Sequence, residues 1–475
     1  MTHRSELFID GVWRSGGDGA TFPVIDPSDG STIAEFAIAT IDDCTAAVEA
    51  AEAALPAWAA TSPRERSEIL RRAFDILTEE KETLTELMVR ENGKSWPDAA
   101  AEAGYATEFF RWFAEEAVRI PGDFRLSPNG DKRIIVTREP IGVSLLVTPW
   151  NFPAAMATRK LAPALAAGCT TILKPASETP LTAAYVVDVL ARAGVPDGVV
   201  NLVTPAPTGP AVAHMMQHPA VRKMSFTGST EVGRVLLHEA ADTVVSTSME
   251  LGGNAPFLVL PGADVEEAVA GAMLAKMRNG GSACTAANRF YVHSSVHDEF
   301  VAALDAALGE VRWGPGLDRE NTLGALVSTT ERDKVADLVV AAEAEGARVV
   351  RGGTASTAGA FYPPTLVVDV AHGSSLTRTE IFGPVAAVVR VDDVDEMVRM
   401  ANDTIYGLIA YVFGEEALAL RTALRLEAGM VGVNRGVLSD PAAPFGGVKQ
   451  SGLGREGSSE GILEYLEEKY IGIAP

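Results

Sequence analysis

Cysteine is scarce in this chain: three in 475 residues, Cys44, Cys169 and Cys284. An odd, sparse set makes no disulfide framework and fits a reducing cytoplasm. No Cys/His group has the spacing of a zinc site, so no metal is expected. Runs of basic residues are missing as well. Lys and Arg total 40 against 63 Asp and Glu, a net charge of −23. A field of that sign repels nucleic acid and anionic membranes, which excludes both as partners. No apolar run approaches the roughly 20 residues of a membrane span. The opening MTHRSELFIDGVW lacks the apolar stretch of a signal peptide. A cytoplasmic protein is the expectation.

What the chain does have is length, enough for about two to four domains at roughly 100–200 residues each. Residues 6–40 read as short strands and turns, with Asp10-Gly11 and Ser28-Asp29-Gly30 as turn signals. From Ile41 to Arg119 the pattern is helical, and Ser62-Pro63 marks one helix start. Segment 120–140 reads as a projecting hairpin turned by Pro128-Asn129-Gly130-Asp131. From Ile141 apolar strands alternate with helices, which specifies a parallel sheet covered on both faces. Such sheets bind ligands at the carboxyl ends of their strands. A second alternating set spans 252–430. The last strand-like piece, EKYIGIAP, has no local partner, and the expectation is that it joins a sheet elsewhere, as exchange between subunits would allow.

Five places carry chemistry, each with a plainer reading beside it. Cys284, in RNGGSACTAANR, follows a helix that ends at Asn279-Gly280-Gly281, among small residues that leave room for a substrate. A lone cysteine is usually a small buried apolar residue, which suffices for Cys44 and Cys169. Glu250, in TSMELGGNAP, ends an apolar strand. It is either a surface or capping residue or, beside a thioester, a general base for water. Asn151, in VTPWNFP, is either a helix N-cap or an amide donor to an oxyanion, an effect worth about 3–4 kcal/mol. Gly228 and Ser229, in SFTGSTEVG, stand at a strand-to-helix turn where N–H groups meet phosphate, although G-x-G-x-x-G spacing is missing. Lys174, in LKPASETP, is either solvated or a partner of ribose hydroxyls or phosphate.

Singly, the plainer readings are the better ones; their order along the chain changes that. VTPWNFP, LKPAS, FTGSTEVG, MELGGNAP, a cysteine loop, EIFGPV and PFGGVKQSGLGREGS follow one another. Over essentially its full length the sequence resembles the aldehyde dehydrogenase superfamily. The resemblance implies an α/β fold: two doubly wound parallel-sheet domains and a small β oligomerisation arm. Residues 1–119 and 141–251 would form the dinucleotide-binding domain and 252–445 the catalytic domain. Residues 120–140 and 446–475 would form the arm and C-terminal segment. Cys284 would attack the aldehyde, with Asn151 and the cysteine's own N–H holding the oxyanion. Glu250 would activate the water that hydrolyses the thioester. Trp150, Gly228 and Ser229 would lie at the cofactor pyrophosphate and Lys174 at the adenine ribose, followed by Pro175, Ala176 and Ser177. Leu251 would lie beside the nicotinamide, with Glu380 and Phe382 at its ribose. A homodimer or homotetramer is implied.

NAD-preferring relatives often carry Glu where this chain has Ser177, so NADP is the expected preference, with NAD the other candidate. Within the superfamily the sequence is most similar to the succinate-semialdehyde dehydrogenases. That substrate carries a far carboxylate, and the resemblance places Arg159, Arg278 and Ser439 around it. Arginine suits a bidentate grip on carboxylate. The plainer reading makes both arginines structural partners of acidic residues. Glutarate semialdehyde, one methylene longer, is the alternative substrate, since a methylene discriminates by only about 1–3 kcal/mol. Many relatives read G-Q-T-C where this chain has Gly281-Ser282-Ala283-Cys284, and Ala286 stands where some have a second cysteine, so no disulfide switch is expected. A CoA-acylating relative would lack Glu250. A catalytically silent nucleotide-binding protein on the same fold is the rival of another class.

Overall fold

Two short hairpins open the chain. β1 (Leu7–Ile9) pairs with β2 (Val12–Arg14) across Asp10-Gly11, and β3 (Thr21–Ile25) pairs with β4 (Thr32–Ala37). The computed structural model describes residues 4–474. Four helices follow: α1 (Ile41–Ala60), α2 (Pro63–Glu79), α3 (Lys81–Asn92) and α4 (Trp96–Glu116). Their starts follow from capping chemistry. Thr40 and Asp43 form a reciprocal box, Ser62 accepts the Glu65 N–H, and Ser95 accepts the Asp98 N–H. The expected hairpin is β5 (Asp123–Leu126) and β6 (Arg133–Pro140).

The alternating region then builds the first sheet. In order come β7 (Val143–Val147), α5 (Pro153–Ala167), β8 (Thr170–Lys174), α6 (Pro180–Arg192), β9 (Val200–Leu202), α7 (Thr208–Gln217), β10 (Val221–Thr227), α8 (Thr230–Thr243) and β11 (Ser246–Glu250). β7 and β8 are buried along their whole length, as strands covered on both faces must be. The five strands run parallel in the order β11-β10-β7-β8-β9, and β1 and β2 extend the β9 side antiparallel. Helices α2, α4, α5 and α6 cover one face and α1, α7 and α8 the other. β7 has β8 on one side and β10 on the other, so winding reverses there and a crevice opens beyond its carboxyl end.

The second sheet is built the same way. It holds β12 (Ala255–Val259), β13 (Ala287–His293), β14 (Arg348–Arg351), β15 (Thr365–Val368), β16 (Val385–Val391), β17 (Ile409–Phe413) and β18 (Met430–Val433). Its order is β14-β15-β16-β13-β12-β17-β18, and only the edge strand β14 runs antiparallel. α9 (Val265–Met277) connects β12 to β13, and α10 (Ser294–Gly309) and α11 (Thr329–Ala344) follow.

The C-terminal segment joins distant sheets, as expected of a strand without a local partner, but within its own chain. β19 (Gly452–Leu453) returns to the first sheet and pairs with Met249 and Glu250 of β11. β20 (Leu466–Ile473) is not without a partner in its own chain: all eight residues pair antiparallel with β6. An ion pair, Arg138–Glu468 at 2.9 Å, crosses that ladder. The partner could not be read locally because it lies 330 positions upstream. β5, β6 and β20 form a three-stranded sheet, almost wholly exposed at β5 and β20. No helix among the described residues is long and apolar enough to cross a membrane.

Candidate active site

The carboxyl ends of the two sheets enclose a cavity of about 630 Å³. Trp150 and Asn151 enter it from the end of β7, Gly228 and Ser229 from the end of β10, and Leu251 from the end of β11. The second half contributes Cys284, Glu380 and Phe382.

The cysteine loop owes its shape to missing side chains. After α9 three residues in succession adopt left-handed backbone: Asn279 (φ 54°), Gly280 (φ 59°) and Gly281 (φ 73°). A Cβ at Gly281 would stand 2.2 Å from the Gly383 carbonyl oxygen, and one at Gly253 would stand 2.3 Å from that of Cys284. Both positions exclude any larger residue. Ser282 Oγ donates to the Phe382 carbonyl at 3.3 Å, tying the loop to the EIFGP segment. Cys284 is partly exposed to the cavity, whereas Cys44 and Cys169 are buried, the plainer reading for each. Burial, then the Glu380 and Glu250 carboxyls, push the Cys284 thiol up to about 12, against the pull of Arg159 and Arg278.

Asn151 is not a helix cap. Phe152 occupies the cap position of α5 without a side-chain bond, and the Glu102 carboxylate serves the helix instead, accepting from Ala154 and Ala155 N–H. The Asn151 amide is thereby free to face the cysteine loop, where Nδ2 donates to the Ser282 carbonyl at 3.1 Å. Glu250 is buried, so it is no surface residue, and neither carboxyl oxygen has a hydrogen-bond partner. Burial and the nearby Glu456 carboxylate hold its carboxyl well above the usual range, against Arg159, Lys160 and Arg455. Its Oε1 lies 3.0 Å from where a Gly446 Cβ would be, off the cavity wall.

The predicted cofactor residues divide between two cavities. In the first, the Trp150 and Phe382 rings meet edge to face at 5.3 Å, and Phe382 holds a left-handed backbone (φ 54°). Glu380 Oε1 accepts the Gly253 N–H at 3.0 Å. Burial pushes its carboxyl up to about 7; the Gly253 N–H opposes this, Glu231 adds to it and Lys276 opposes it. Leu251 fills the space over Gly233 of α8. Ser229 caps α8 and accepts the Val232 N–H at 3.3 Å. The Gly228 N–H is not free for a phosphate, as its motif suggested; it donates to the Glu250 carbonyl at 3.0 Å. A second cavity, about 720 Å³, is lined by Lys174, Pro175 and Ser177, with Glu178 beside them. Burial pushes the Lys174 ammonium down to about 8, Glu178 opposing. Ala176 is buried and reaches neither cavity.

Arg159, Arg278 and Ser439 all line the first cavity. They differ in their partners. Arg159 Nε is 3.5 Å from the Glu456 carboxylate, and its Nη2 donates to the Tyr105 hydroxyl at 2.6 Å. It thus has the acidic partner that the plainer reading gave it, together with a place on the wall. Arg278 donates to Ser439 Oγ at 3.2 Å and stacks over Phe152 at 5.0 Å. Among the described residues no carboxylate lies within ion-pair distance of it. Among the wall residues that escaped sequence reasoning are Tyr105, Phe152, Met156 and Phe445. Phe152 and Phe445 lie inside motifs already noted, P-W-N-F-P and P-F-G-G. Tyr105, on α4, has no motif around it, and no spacing signal links it to Arg159.

A nucleophile-bearing loop, a carboxamide and a buried carboxyl, flanked by two cavities at the strand ends, recur in known proteins. The sequence profile of the aldehyde dehydrogenase family matches residues 13–471. A succinate-semialdehyde dehydrogenase of Paenarthrobacter nicotinovorans is 49% identical over 93% of this chain and 99% of its own length. A glutarate-semialdehyde dehydrogenase of Pseudomonas aeruginosa is 45% identical over 98% of this chain and 97% of its own. The crystal structure of an NADP-dependent enzyme from Escherichia coli superposes with a TM-score of 0.98 at 44% identity, covering 100% of this chain and 98% of that one. Profile, sequence and fold agree over nearly every residue, and the chain belongs to the aldehyde dehydrogenase family.

Proposed function

We propose that this enzyme oxidises succinate semialdehyde to succinate with NADP, through a thioester on Cys284. Arg278 carries the substrate assignment: a guanidinium without a carboxylate partner, beside Ser439, on the wall of the cavity that holds Cys284. The substrate's carboxylate supplies the missing anion, and Arg159 provides a second cation on the wall of the same cavity.

The residues present fit a dinucleotide. Two cavities at neighbouring strand ends suit a two-ended ligand, and the Ser229-capped start of α8 offers its positive pole to phosphate at the first. Thr227 Oγ1, buried and without a partner, lines that cavity too. Trp150, Leu251, Glu380 and Phe382 would hold the nicotinamide end, and Lys174, Pro175 and Ser177 the adenosine end. A bound nicotinamide ring supplies the two-electron acceptor. Ser177, neutral and able to donate, supports NADP; the Glu178 carboxylate on the same wall favours NAD.

Cys284 attacks the aldehyde carbon, and its thiol proton leaves to a base or to water. The Asn151 amide and the Cys284 N–H stabilise the oxyanion. The former aldehyde C–H bond then breaks as the oxyanion collapses, its hydrogen and two electrons leaving as hydride for the acceptor that a bound nicotinamide would supply, and a thioester remains. Glu250, after its side chain turns from Gly446 toward the cavity, takes a proton from the attacking water, and succinate departs. The exposed apolar residues of the arm, Phe124 and Leu126 among them, suit a second copy of the chain in a dimer or tetramer.

Steady-state kinetics with succinic, glutaric and uncharged aldehydes, each with NAD and NADP, tests the substrate. Arg278→Ala should lower kcat/KM for succinic semialdehyde about 10- to 100-fold, with a much smaller effect on an uncharged aldehyde of similar length. Equal losses on both would sink the carboxylate grip. Glu250→Gln should accumulate acyl-enzyme, seen as added protein mass; normal turnover would remove Glu250 as the base.

A further inference from the structure

The corner between α3 and α4, Asn92-Gly93-Lys94-Ser95, lies behind the loop from β7 to α5, and no step above uses it. Lys94 is 3% exposed and Glu102 2%, and their side chains pair directly. Apolar residues of similar volume often stabilise an interior better than such a pair, so stability alone does not account for it. Its other contacts are more informative. The Lys94 ammonium donates to the Asn151 carbonyl at 2.9 Å, and the Asn279 side chain donates to the same oxygen at 2.8 Å. Asn92 Nδ2 donates to the Trp150 carbonyl at 2.9 Å.

Those two carbonyls belong to the peptide planes on either side of the Asn151 Cα. Fixing both planes fixes φ and ψ of Asn151, and with them the direction of its Cα–Cβ bond, from which the amide reaches the cysteine loop. Capping does not require the lysine. Glu102 Oε1 serves the Ala154 and Ala155 N–H groups at 2.9 and 3.2 Å, and a helix N-terminus accepts a carboxylate without a counter-cation.

We propose that Lys94, locked by Glu102, is a positioning residue for Asn151. With Asn92 it clamps the two flanking peptide planes and aims the Asn151 amide at the oxygen that becomes negative when Cys284 attacks. This rests on the oxyanion role given to Asn151 above.

Lys94→Met removes the donor and keeps most of the stem volume. The expected result is a kcat lower by about 10- to 100-fold, as for a misaimed catalytic group. KM for succinic semialdehyde and NADP affinity, measured by fluorescence titration, should stay unchanged, and Lys94→Arg should recover part of the loss. Asn151→Ala alone should lower kcat about 100-fold. Adding Lys94→Met to it should cost little more, because the group being aimed is already gone. Normal kcat in Lys94→Met beside a slow Asn151→Ala overturns the positioning role alone, and so do losses that multiply in the double variant. Normal kcat in Asn151→Ala overturns the oxyanion reading and this proposal with it. Should Lys94→Met fail to fold, Glu102→Gln keeps the α5 acceptor while loosening Lys94. The same loss confined to kcat is expected there, and a normal kcat overturns the proposal.

Discussion

Cys284 holds its proton at rest. Burial and two carboxyls push its thiol up to about 12, and two guanidiniums only partly offset them. The thiolate is the attacking form, so its share sets reactivity, and well below the pKa that share grows about tenfold per pH unit. Alkylation of the free enzyme by iodoacetamide should therefore climb steadily from about pH 6.5 to about pH 9.5. A plateau below about pH 9 would contradict the environment assigned to the thiol. Arg278→Ala removes a cation that favours the thiolate and should slow alkylation throughout that range. Of this environment only Arg278 stands in RNGGSACTAANR. The loop residues say that the cysteine is accessible, but the other charges around it come from Arg159, Glu250 and Glu380, distant in the chain. Glu250 is similar: its motif identified it, but its place beside Gly446 and the Glu456 carboxylate that raises its proton affinity comes from the distant C-terminal segment.

At the scale of elements, the site depends on a close approach between the end of β11 and the cysteine loop. Gly253 permits it. Gly253→Ala should displace the loop and lower kcat about 100-fold, while thermal unfolding shows the fold retained. Normal kcat would mean that the loop has room to move. The strands themselves were plain in the sequence, because a parallel strand buried on both faces leaves an unbroken apolar run, as in VSLLV of β7. Helix starts were legible where the cap is local, as at Ser62. At α5 the nearest polar residue, Asn151, has the right chemistry for a cap, but Glu102, 52 residues before Ala154, takes the role. Pairing across long separations is invisible to local pattern for the same reason, and so the partner of β20 had to come from the structure.

At the scale of the whole molecule, the arm is a thin sheet standing on the body, with Phe124, Leu126, Tyr470, Ile471 and Ile473 exposed. Apolar side chains on exposed edge strands are a liability unless another surface covers them. Removing residues 466–475 strips β6 of its eight-residue partner. The expected outcome is loss of the homo-oligomer proposed above, by light scattering; an assembly of unchanged mass would rule out the arm as its basis. A net charge of −23 favours solubility without specifying any partner.

The return of the chain at β19 has a consequence for synthesis. Leu251 N–H donates to the Ser451 carbonyl at 2.9 Å, and Ser451 Oγ donates to the Gly252 carbonyl from 199 positions away. Glu250 itself pairs with Gly452. A nascent chain on the ribosome therefore carries Cys284 well before the strand bearing Glu250 is anchored. A message cut short by a premature stop after Phe445 yields a polypeptide that has Cys284, the proposed nucleophile, but lacks the stretch that secures Glu250, the proposed base.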